Sequence, residues 1–333
     1  MPAQPTKPRV FVTRAVAKEA IEKMAASCDV EVWPDYERPP YEVLKQKAAT
    51  VDGLFTNVTD RIDAPLIEGA PKLRVISQMA AGLDNVDITA CTRRGIPLGY
   101  APGTLHHATA DLTFALMLAA ARRVVESERW VKAGKWQVAW HPQAFLGQEL
   151  HGATIGIVGM GQIGQEVARR AQGFEMNIVY TSRTRKLDAE SRFRATYADL
   201  PTLLRTSDFV TLHVPLTAET RHMIGERELR MMKPNAVLVN IARGAVVDQA
   251  ALYWALSEKW LFAAALDVTD PEPLPMNSPL LTLENCIVVP HLGSASVQAR
   301  LRMAMTAAEN MLLGLQGQPL KHCANPDVYK GSR

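Results

Sequence analysis

Residues 153–170 read ATIGIVGMGQIGQEVARR and decide the fold. A short run rich in β-branched residues enters the glycine pattern GxGxxG, and apolar residues then recur at helical spacing. Strand, glycine turn and helix in this order are typical of a dinucleotide-binding βαβ unit. The alternative, a glycine turn without a ligand, fits these flanks less well. The predicted dinucleotide contacts are Gly159, Gly161, Gln162, Ile163 and Gly164.

The next predicted strand indicates which dinucleotide binds. Residues 176–181, MNIVYT, are followed by SRTRK. An NAD-preferring unit places Asp or Glu about 20 residues past the glycines, where it holds the ribose hydroxyls. Here no carboxylate stands at the strand end, and Ser182, Arg183, Thr184 and Arg185 offer hydroxyl and guanidinium donors to a 2′-phosphate. We therefore expect NADPH to be preferred, with NADH as a weaker substitute. The alternative is that these cations form only a solvated loop.

Length and composition predict a two-domain cytoplasmic enzyme. The chain has 333 residues, of which 47% are hydrophobic, and a formal net charge of +3 without a long basic block, which disfavours nucleic acid as a partner. The N-terminal residues lack an apolar signal core, and no run approaches transmembrane length, so no membrane partner is expected. The cysteines are scattered without CxxC spacing, as in reduced cytosolic proteins. They are Cys28, Cys91, Cys286 and Cys323.

Short apolar runs alternate with helical patterns on both sides of the glycine turn, which predicts an α/β fold with two Rossmann-like domains. Residues 1–102 lack a glycine-rich turn and are predicted to form a flavodoxin-like substrate domain. Residues 103–290 form the NAD(P)-binding domain, a doubly wound parallel sheet. A helical pattern at 297–315 predicts that residues 291–333 return to the substrate domain. That domain is then discontinuous, and the cleft between the domains is the expected active site.

A helical arm near 105–147 opens the nucleotide domain. Its pattern is too apolar for an exposed helix, so we expect it to be buried between the domains or against a second subunit. His106 and His107 stand at its start. Adjacent positions on a helix point apart, and no further His or Cys cluster accompanies the pair, so we expect capping or surface residues and no metal site.

Three polar residues stand at the carboxyl ends of predicted strands, where open α/β sheets bind their ligands. Arg243 follows NIA, Glu272 lies in DVTDPEPLP, and His291 ends the strand CIVVP. An arginine holds a carboxylate through a bidentate fork, and a histidine with a carboxylate partner delivers a proton near neutral pH. Downstream of a dinucleotide motif, the three together predict a dehydrogenase site.

Four segments occur in the order GMGQIG, NIARGAVVDQAAL, LDVTDPEPLP and PHLGSAS. In this order they resemble the D-2-hydroxyacid dehydrogenase family over nearly the whole chain. Within that family, the segments NSPLLTLENC, GLDNVD, RRGIPLGY and SRTR are most similar to glyoxylate/hydroxypyruvate reductases. The chain departs from the family at Asp111, where many members carry Glu.

The resemblance implies a role for each matched residue. Arg243 would bind the keto acid's carboxylate and polarise its carbonyl, and His291 would be the general acid. Glu272 would orient His291 and favour its protonated form, while Asp267 would hold the nicotinamide carboxamide. Further implied cofactor contacts are His213, Val214, Pro215, Thr220, Ile241, Ala242 and Gly293. Further implied substrate contacts are Ala81, Gly82 and Ser294.

The resemblance also implies an activity and an assembly. The activity is NADPH-dependent reduction of glyoxylate to glycolate and of hydroxypyruvate to D-glycerate. Alternatives are oxidation of D-lactate, 3-phosphoglycerate or phosphite on the same scaffold, or a non-catalytic NAD(P)H sensor of the corepressor type. In this family the helical arm crosses to a second subunit, which implies a homodimer in which Trp140 and Phe145 approach the neighbour's cleft.

Overall fold

The computed structural model describes residues 7–330, which form two compact units. One unit contains the chain up to Leu105 and again from Ser296, and the other is His106–Ala295. The first six residues, on which the expectation of no signal peptide partly rests, lie outside the described residues. Within the described chain, no helix combines the length and apolar character needed to cross a membrane.

The first unit is built on a parallel sheet with strand order β2-β1-β3-β4-β5, an order found in flavodoxin-like domains. The strands are β1 (Arg9–Val12), β2 (Asp29–Val32), β3 (Gly53–Thr56), β4 (Val75–Gln78) and β5 (Leu98–Gly99). The helices are α1 (Lys18–Ala25), α2 (Tyr41–Ala48), α3 (Ala64–Glu68), α4 (Ile88–Arg93) and α12 (Val297–Leu315), with a 3-10 turn at Pro326–Tyr329.

Alternate strand residues point to opposite faces of this sheet, and helices pack on both faces and bury them. On one face, Val10, Val12 and Phe55 pack with the apolar side of α12, including Ala307 and Met311. On the other face, residues from β1, β3 and β4 pack with α2, α3 and α4. The predicted bounds of α12 are confirmed, and Ser296 caps it by accepting a hydrogen bond from the N–H of Ala299.

The second unit is a parallel sheet with strand order β12-β11-β10-β9-β6-β7-β8. It has the doubly wound arrangement, in which the direction of strand addition reverses between β6 and β9. The strands are β6 (Thr154–Val158), β7 (Asn177–Thr181), β8 (Thr196–Tyr197), β9 (Phe209–Leu212), β10 (Val237–Asn240), β11 (Ala263–Leu266) and β12 (Cys286–Val288). The helices are α5 (His106–Ala121), α6 (Val124–Lys132), α7 (Gln162–Gly173), α8 (Leu187–Phe193), α9 (Leu200–Thr206), α10 (Glu226–Leu229) and α11 (Gln249–Ser257), with 3-10 turns at Gly244–Val246 and Pro279–Thr282.

The helical arm predicted near 105–147 is not one continuous helix. It is two helices, because Arg123 has a left-handed backbone with φ +53° and separates α5 from α6. The apolar character of α5 comes from packing inside its own unit, where it lies against α7 and the strands β10, β11 and β12. Phe114 and Met117 are part of that core. The expectation that this helix also lies against the other domain or a second subunit stays a prediction.

The end of the second unit also differs from the boundary expected between residues 290 and 291. Residues up to Ala295 belong to the second unit. The reason is local, since the N–H groups of Leu292 and Gly293 donate to the carboxylate of Asp267, at 2.5 and 2.9 Å. The chain therefore leaves the second unit after this turn and not before it.

Candidate active site

The glycine turn follows β6 at the point where strand order reverses. Gly159 has φ +105°, and a Cβ there would lie 2.7 Å from the carbonyl oxygen of His213. A Cβ on Gly164 would lie 2.1 Å from the carbonyl oxygen of Gly159. Gly161, by contrast, has open space, and it precedes α7 without a side-chain cap on the helix. The turn therefore leaves both room and N–H donors for a phosphate group.

His213 lies directly after β9, beside this turn. The residue as a whole is half-buried, but both ring nitrogens are inaccessible to solvent and, within residues 7–330, neither has a hydrogen-bond partner. Desolvation lowers the pKa of His213 to about 3. Buried polar atoms without partners are uncommon in proteins and require an explanation, and a bound dinucleotide would supply one.

His213 should make the stability of the cofactor-free protein depend on pH. Its folded pKa lies below the ordinary 6.5, so the folded state binds fewer protons and its contribution is lost as pH falls from 6.5 towards 3. Between pH 7 and pH 5 we expect a loss of about 2 kcal/mol in the free energy of unfolding from this group alone. Urea unfolding of wild type and His213→Gln at both pH values measures it. An equal drop in the free energy of unfolding of the two proteins would contradict the lowered pKa of His213.

The basic loop after β7 is only partly available to a ligand. Arg185 donates to both carboxylate oxygens of Glu190, at 2.7 and 2.8 Å. The hydrogen bonds from Arg185 and then Tyr180 lower the pKa of Glu190 to about 2. Arg183 is exposed, and its charge is among those that lower the pKa of Glu219, after the larger effect of the Thr217 hydrogen bond. Of the two predicted arginines, Arg183 is therefore the one without a bidentate carboxylate partner among residues 7–330.

Arg243 follows β10 on a turn that its neighbours fix. The side chain of Asn240, 1% exposed, accepts from the N–H of Ala242 at 3.1 Å and donates to the carbonyl of Arg243 at 2.9 Å. A Cβ on Gly244 would lie 1.9 Å from the backbone carbon of Thr269. This close approach brings the Arg243 turn against the loop that carries Glu272. Asn240 is not among the residues predicted for the site, although a polar residue at the end of the apolar run VLVN was a signal.

His291 and Glu272 form a hydrogen-bonded pair. His291 Nδ1 lies 2.6 Å from Glu272 Oε1, and each side chain is about one-third exposed. Burial acts to raise the pKa of Glu272, but the hydrogen bond and charge of His291, with a smaller effect from Arg243, hold it below its ordinary value. Nδ1 is occupied by this contact, so Nε2 is the nitrogen available for proton transfer.

Asp267 supports the turn that carries His291. Besides accepting from Leu292 and Gly293, it offers its backbone carbonyl to the N–H of His291 at 2.9 Å. His291 has φ +55°, a conformation that needs such support. Burial raises the pKa of Asp267, although the Leu292 N–H opposes that shift. The sequence predicted a cofactor contact here, and the structure adds a positioning role.

The remaining predicted residues lie on loops of one unit or the other. Thr220 donates its hydroxyl to the carbonyl of Pro215 at 2.7 Å and so closes the turn after His213 and Val214. Ile241, Ala242, Gly293 and Ser294 are buried at the carboxyl end of the second unit's sheet. In the first unit, Ala81 is exposed and Gly82 half-buried, directly after β4.

The histidine pair at the start of α5 differs from the expectation. The rings of His106 and His107 do not point apart; their centroids are 4.1 Å from each other. In the described chain, ligand atoms of these two residues and Glu166 lie within 4.8 Å of one another. Glu166, however, accepts from Arg170 at 3.0 Å and pairs with Arg169 at 3.1 Å, and Arg170 also binds Asp111. Two guanidiniums already balance this carboxylate, which favours an ion-pair network joining α5 and α7 over a metal site.

Comparisons with known proteins identify the family of this chain. A family model described as D-isomer specific 2-hydroxyacid dehydrogenase, NAD binding domain, matches residues 114–293. A glyoxylate reductase from Aeropyrum pernix is 51% identical, over 97% of this chain and 98% of the relative. The solved TT0316 protein from Thermus thermophilus has a TM-score of 0.90 at 44% identity, covering 95% of this chain and 99% of that one.

A second solved structure is an NADPH-dependent glyoxylate/hydroxypyruvate reductase from Sinorhizobium meliloti in complex with NADP and malonate. Its TM-score is 0.85 at 27% identity, over 96% of this chain and 98% of that one. The family model spans more than half of the 333 residues, and the relatives match nearly all of them. This chain therefore belongs to the D-isomer specific 2-hydroxyacid dehydrogenase family of NAD(P)-dependent oxidoreductases, as its motifs predict.

Proposed function

We propose that this protein reduces glyoxylate to glycolate and hydroxypyruvate to D-glycerate, with NADPH as the preferred cofactor. The observation that carries the proposal is the His291–Glu272 pair at 2.6 Å, beside the Arg243 turn and in the same unit as the glycine turn. The activities named for the matched relatives support the same substrates.

We propose the following roles for the residues of the site. A nicotinamide cofactor held at the glycine turn would supply the hydride for the substrate's carbonyl carbon. Arg243 pairs with the substrate carboxylate and polarises the carbonyl oxygen. His291 Nε2 donates a proton to that oxygen, while Glu272 holds Nδ1 and balances the imidazolium charge. Ser294 and the N–H groups of Ala81 and Gly82 complete the proposed substrate contacts.

The residues around the glycine turn fit a dinucleotide. We propose that Gly161 and the N–H groups at the start of α7 bind the pyrophosphate. The backbone carbonyl of His213 lies against the same turn, and its ring nitrogens have no hydrogen-bond partner within residues 7–330. A hydrogen bond from the cofactor would satisfy one of them. The other proposed cofactor contacts are Gly159, Gln162, Ile163, Gly164, Val214, Pro215, Thr220, Ile241, Ala242, Asp267 and Gly293.

The preference for NADPH rests on Ser182, Arg183 and Thr184, since Arg185 is engaged with Glu190. Arg183→Ala is expected to raise KM for NADPH by roughly 10- to 100-fold and to leave KM for NADH unchanged, because one charge-assisted contact to the 2′-phosphate is lost. Arg185→Ala removes an equal charge and is the matched control, with a much smaller effect on KM. Equal effects of the two variants would contradict this division of roles.

The proposed reaction is tested by initial rates of NADPH oxidation, and separately NADH oxidation, with glyoxylate and with hydroxypyruvate. Chromatography of the products identifies glycolate and glycerate. We expect turnover of both acids, faster with NADPH. Oxidation of neither cofactor with either acid would overturn the proposal and direct attention to D-lactate, 3-phosphoglycerate, phosphite or a non-catalytic sensor.

We also propose a homodimer formed through the arm near 105–147. Large apolar side chains in its second half are exposed in the single chain, including Trp136 at 59% and Trp140 at 78%. Phe145, predicted to approach a neighbour, packs against Trp130 of its own chain. Trp140→Glu is expected to halve the mass measured by light scattering, because a charge replaces buried apolar surface. A Tyr36→Glu control, at another exposed aromatic, should stay dimeric; a monomeric wild type would contradict the proposal.

A cytoplasmic location and the absence of nucleic-acid or membrane partners complete the proposal. The thiols of Cys28, Cys91, Cys286 and Cys323 are all free, as expected in a reducing compartment. The net charge of +3 is small for 333 residues and gives little attraction to polyanions.

A further inference from the structure

A buried polar network lies at the carboxyl ends of β3 and β4 in the first unit. Gln78, the last residue of β4, is 0% exposed. Its Oε1 accepts from Thr56 Oγ1 at 2.9 Å, and its Nε2 donates to the carbonyl of Gly82 at 3.0 Å and to Asn85 Oδ1 at 2.6 Å. A primary amide in this setting is costly to bury unless it is fully hydrogen-bonded, and this one is.

Asn85 extends the network to the neighbouring loop. Its Nδ2 donates to the backbone carbonyls of Asn57 at 3.1 Å and Asp60 at 2.6 Å, both on the loop after β3. That loop is itself fixed, since the Asp60 carboxylate accepts from Thr13 Oγ1 at 2.5 Å and from the Asn57 N–H at 2.7 Å. The loop after β4 is therefore tied to a rigid neighbour and not only to its own strand.

The network determines which groups of the Ala80–Gly82 loop remain available. The carbonyl of Ala80 accepts from the N–H of Ala101 at 2.8 Å, and that of Gly82 accepts from Gln78. In the described part of the chain, the N–H groups of Ala81 and Gly82 donate to no protein acceptor. Both flanking carbonyls are thus turned to the protein, and two adjacent donors are left for an anion.

We propose that Gln78 and Asn85 are positioning residues that lock the Ala80–Gly82 loop in the form that binds the substrate carboxylate, an inference that rests on the proposed function. Without these hydrogen bonds, the loop must be ordered each time the keto acid binds. The free-energy cost of that ordering weakens the affinity for the keto acid. The carboxylate is held alike in the ground state and the transition state, so the lock acts on KM for the keto acid and not on kcat.

The principal test is Gln78→Met, which keeps the side-chain volume and removes both donors. We expect KM for glyoxylate to rise roughly fivefold to twentyfold, with kcat and KM for NADPH within about twofold of wild type. Ser77→Ala is the matched control. Ser77 is the preceding strand residue, also 0% exposed, and its hydroxyl donates to the Ala307 carbonyl at 2.8 Å on the α12 side of the sheet. This variant loses a buried hydrogen bond but should leave KM for glyoxylate unchanged.

A second variant keeps the test decisive if Gln78→Met does not fold. Thr56→Val is nearly isosteric and removes only the hydroxyl that fixes Gln78 Oε1, so a smaller rise in KM, of about twofold to fourfold, is expected. Wild-type turnover of glyoxylate with KM unchanged in these variants would overturn the positioning role alone. Absence of turnover in the wild type would overturn the proposed function and, with it, this inference.

Discussion

Replacing His291 by alanine is expected to lower kcat for glyoxylate reduction by about 10²- to 10⁴-fold, the range typical of a lost general acid. The structure gives the reason, since Nδ1 is held by Glu272 at 2.6 Å and Nε2 is the nitrogen available to protonate the carbonyl oxygen. KM for NADPH should change little, because the glycine turn is untouched. Steady-state rates with both substrates varied measure these constants.

His151→Ala is the control for this substitution, since His151 is an exposed residue on the turn before β6. It should retain wild-type kcat. Glu272→Gln should have an intermediate effect, because the histidine keeps a hydrogen-bond acceptor but loses the charge that balances the imidazolium. A His291→Ala enzyme with kcat near wild type would remove the general acid from the proposed mechanism.

Arg243→Ala is expected to raise KM for glyoxylate by roughly 10- to 100-fold and to lower kcat as well. A charge-assisted contact to the carboxylate is lost, and the carbonyl is no longer polarised. Arg243→Lys keeps the charge but not the planar fork, so it should recover only part of the activity.

Arg227→Ala provides the comparison for Arg243, because its side chain is 80% exposed on α10 and pairs there with Glu228. Loss of this surface arginine should leave both constants unchanged. An Arg243→Ala enzyme with an unchanged KM for glyoxylate would mean that the keto acid's carboxylate is bound elsewhere.

The fold followed from the sequence wherever local pattern and tertiary packing agree. The GxGxxG turn and the runs of β-branched residues identify the second sheet, and the bounds of α12 follow from its helical spacing of apolar residues. The division of the arm into α5 and α6 was not readable, because it depends on a left-handed backbone at Arg123. Nothing in the residue type of an arginine signals that conformation.

The candidate site was predictable as a set of residue types but not as a set of contacts. Glu190 lies on α8, the helix after the basic loop, and its salt bridge with Arg185 depends on where that helix begins. Asn240 and Asp267 are buried side chains held by backbone groups, and Gln78 is held by two side chains and the Gly82 carbonyl. Contacts of these kinds depend on tertiary position, which residue types alone do not give. Motifs therefore identify the groups that react, while the groups that hold them in place require coordinates.

The proposed hydride transfer is tested most directly with NADPH that carries deuterium at nicotinamide C4 and with glyoxylate as the substrate. The two C4 epimers of the labelled cofactor are used in separate reactions. Transfer of a hydride predicts glycolate that carries deuterium at C2 with one epimer and not the other, detected by mass spectrometry. His291→Ala should form the same labelled product at a greatly reduced rate, because it lacks the acid and not the hydride donor. Glycolate formed without label from either epimer, or no glycolate at all, would contradict the account.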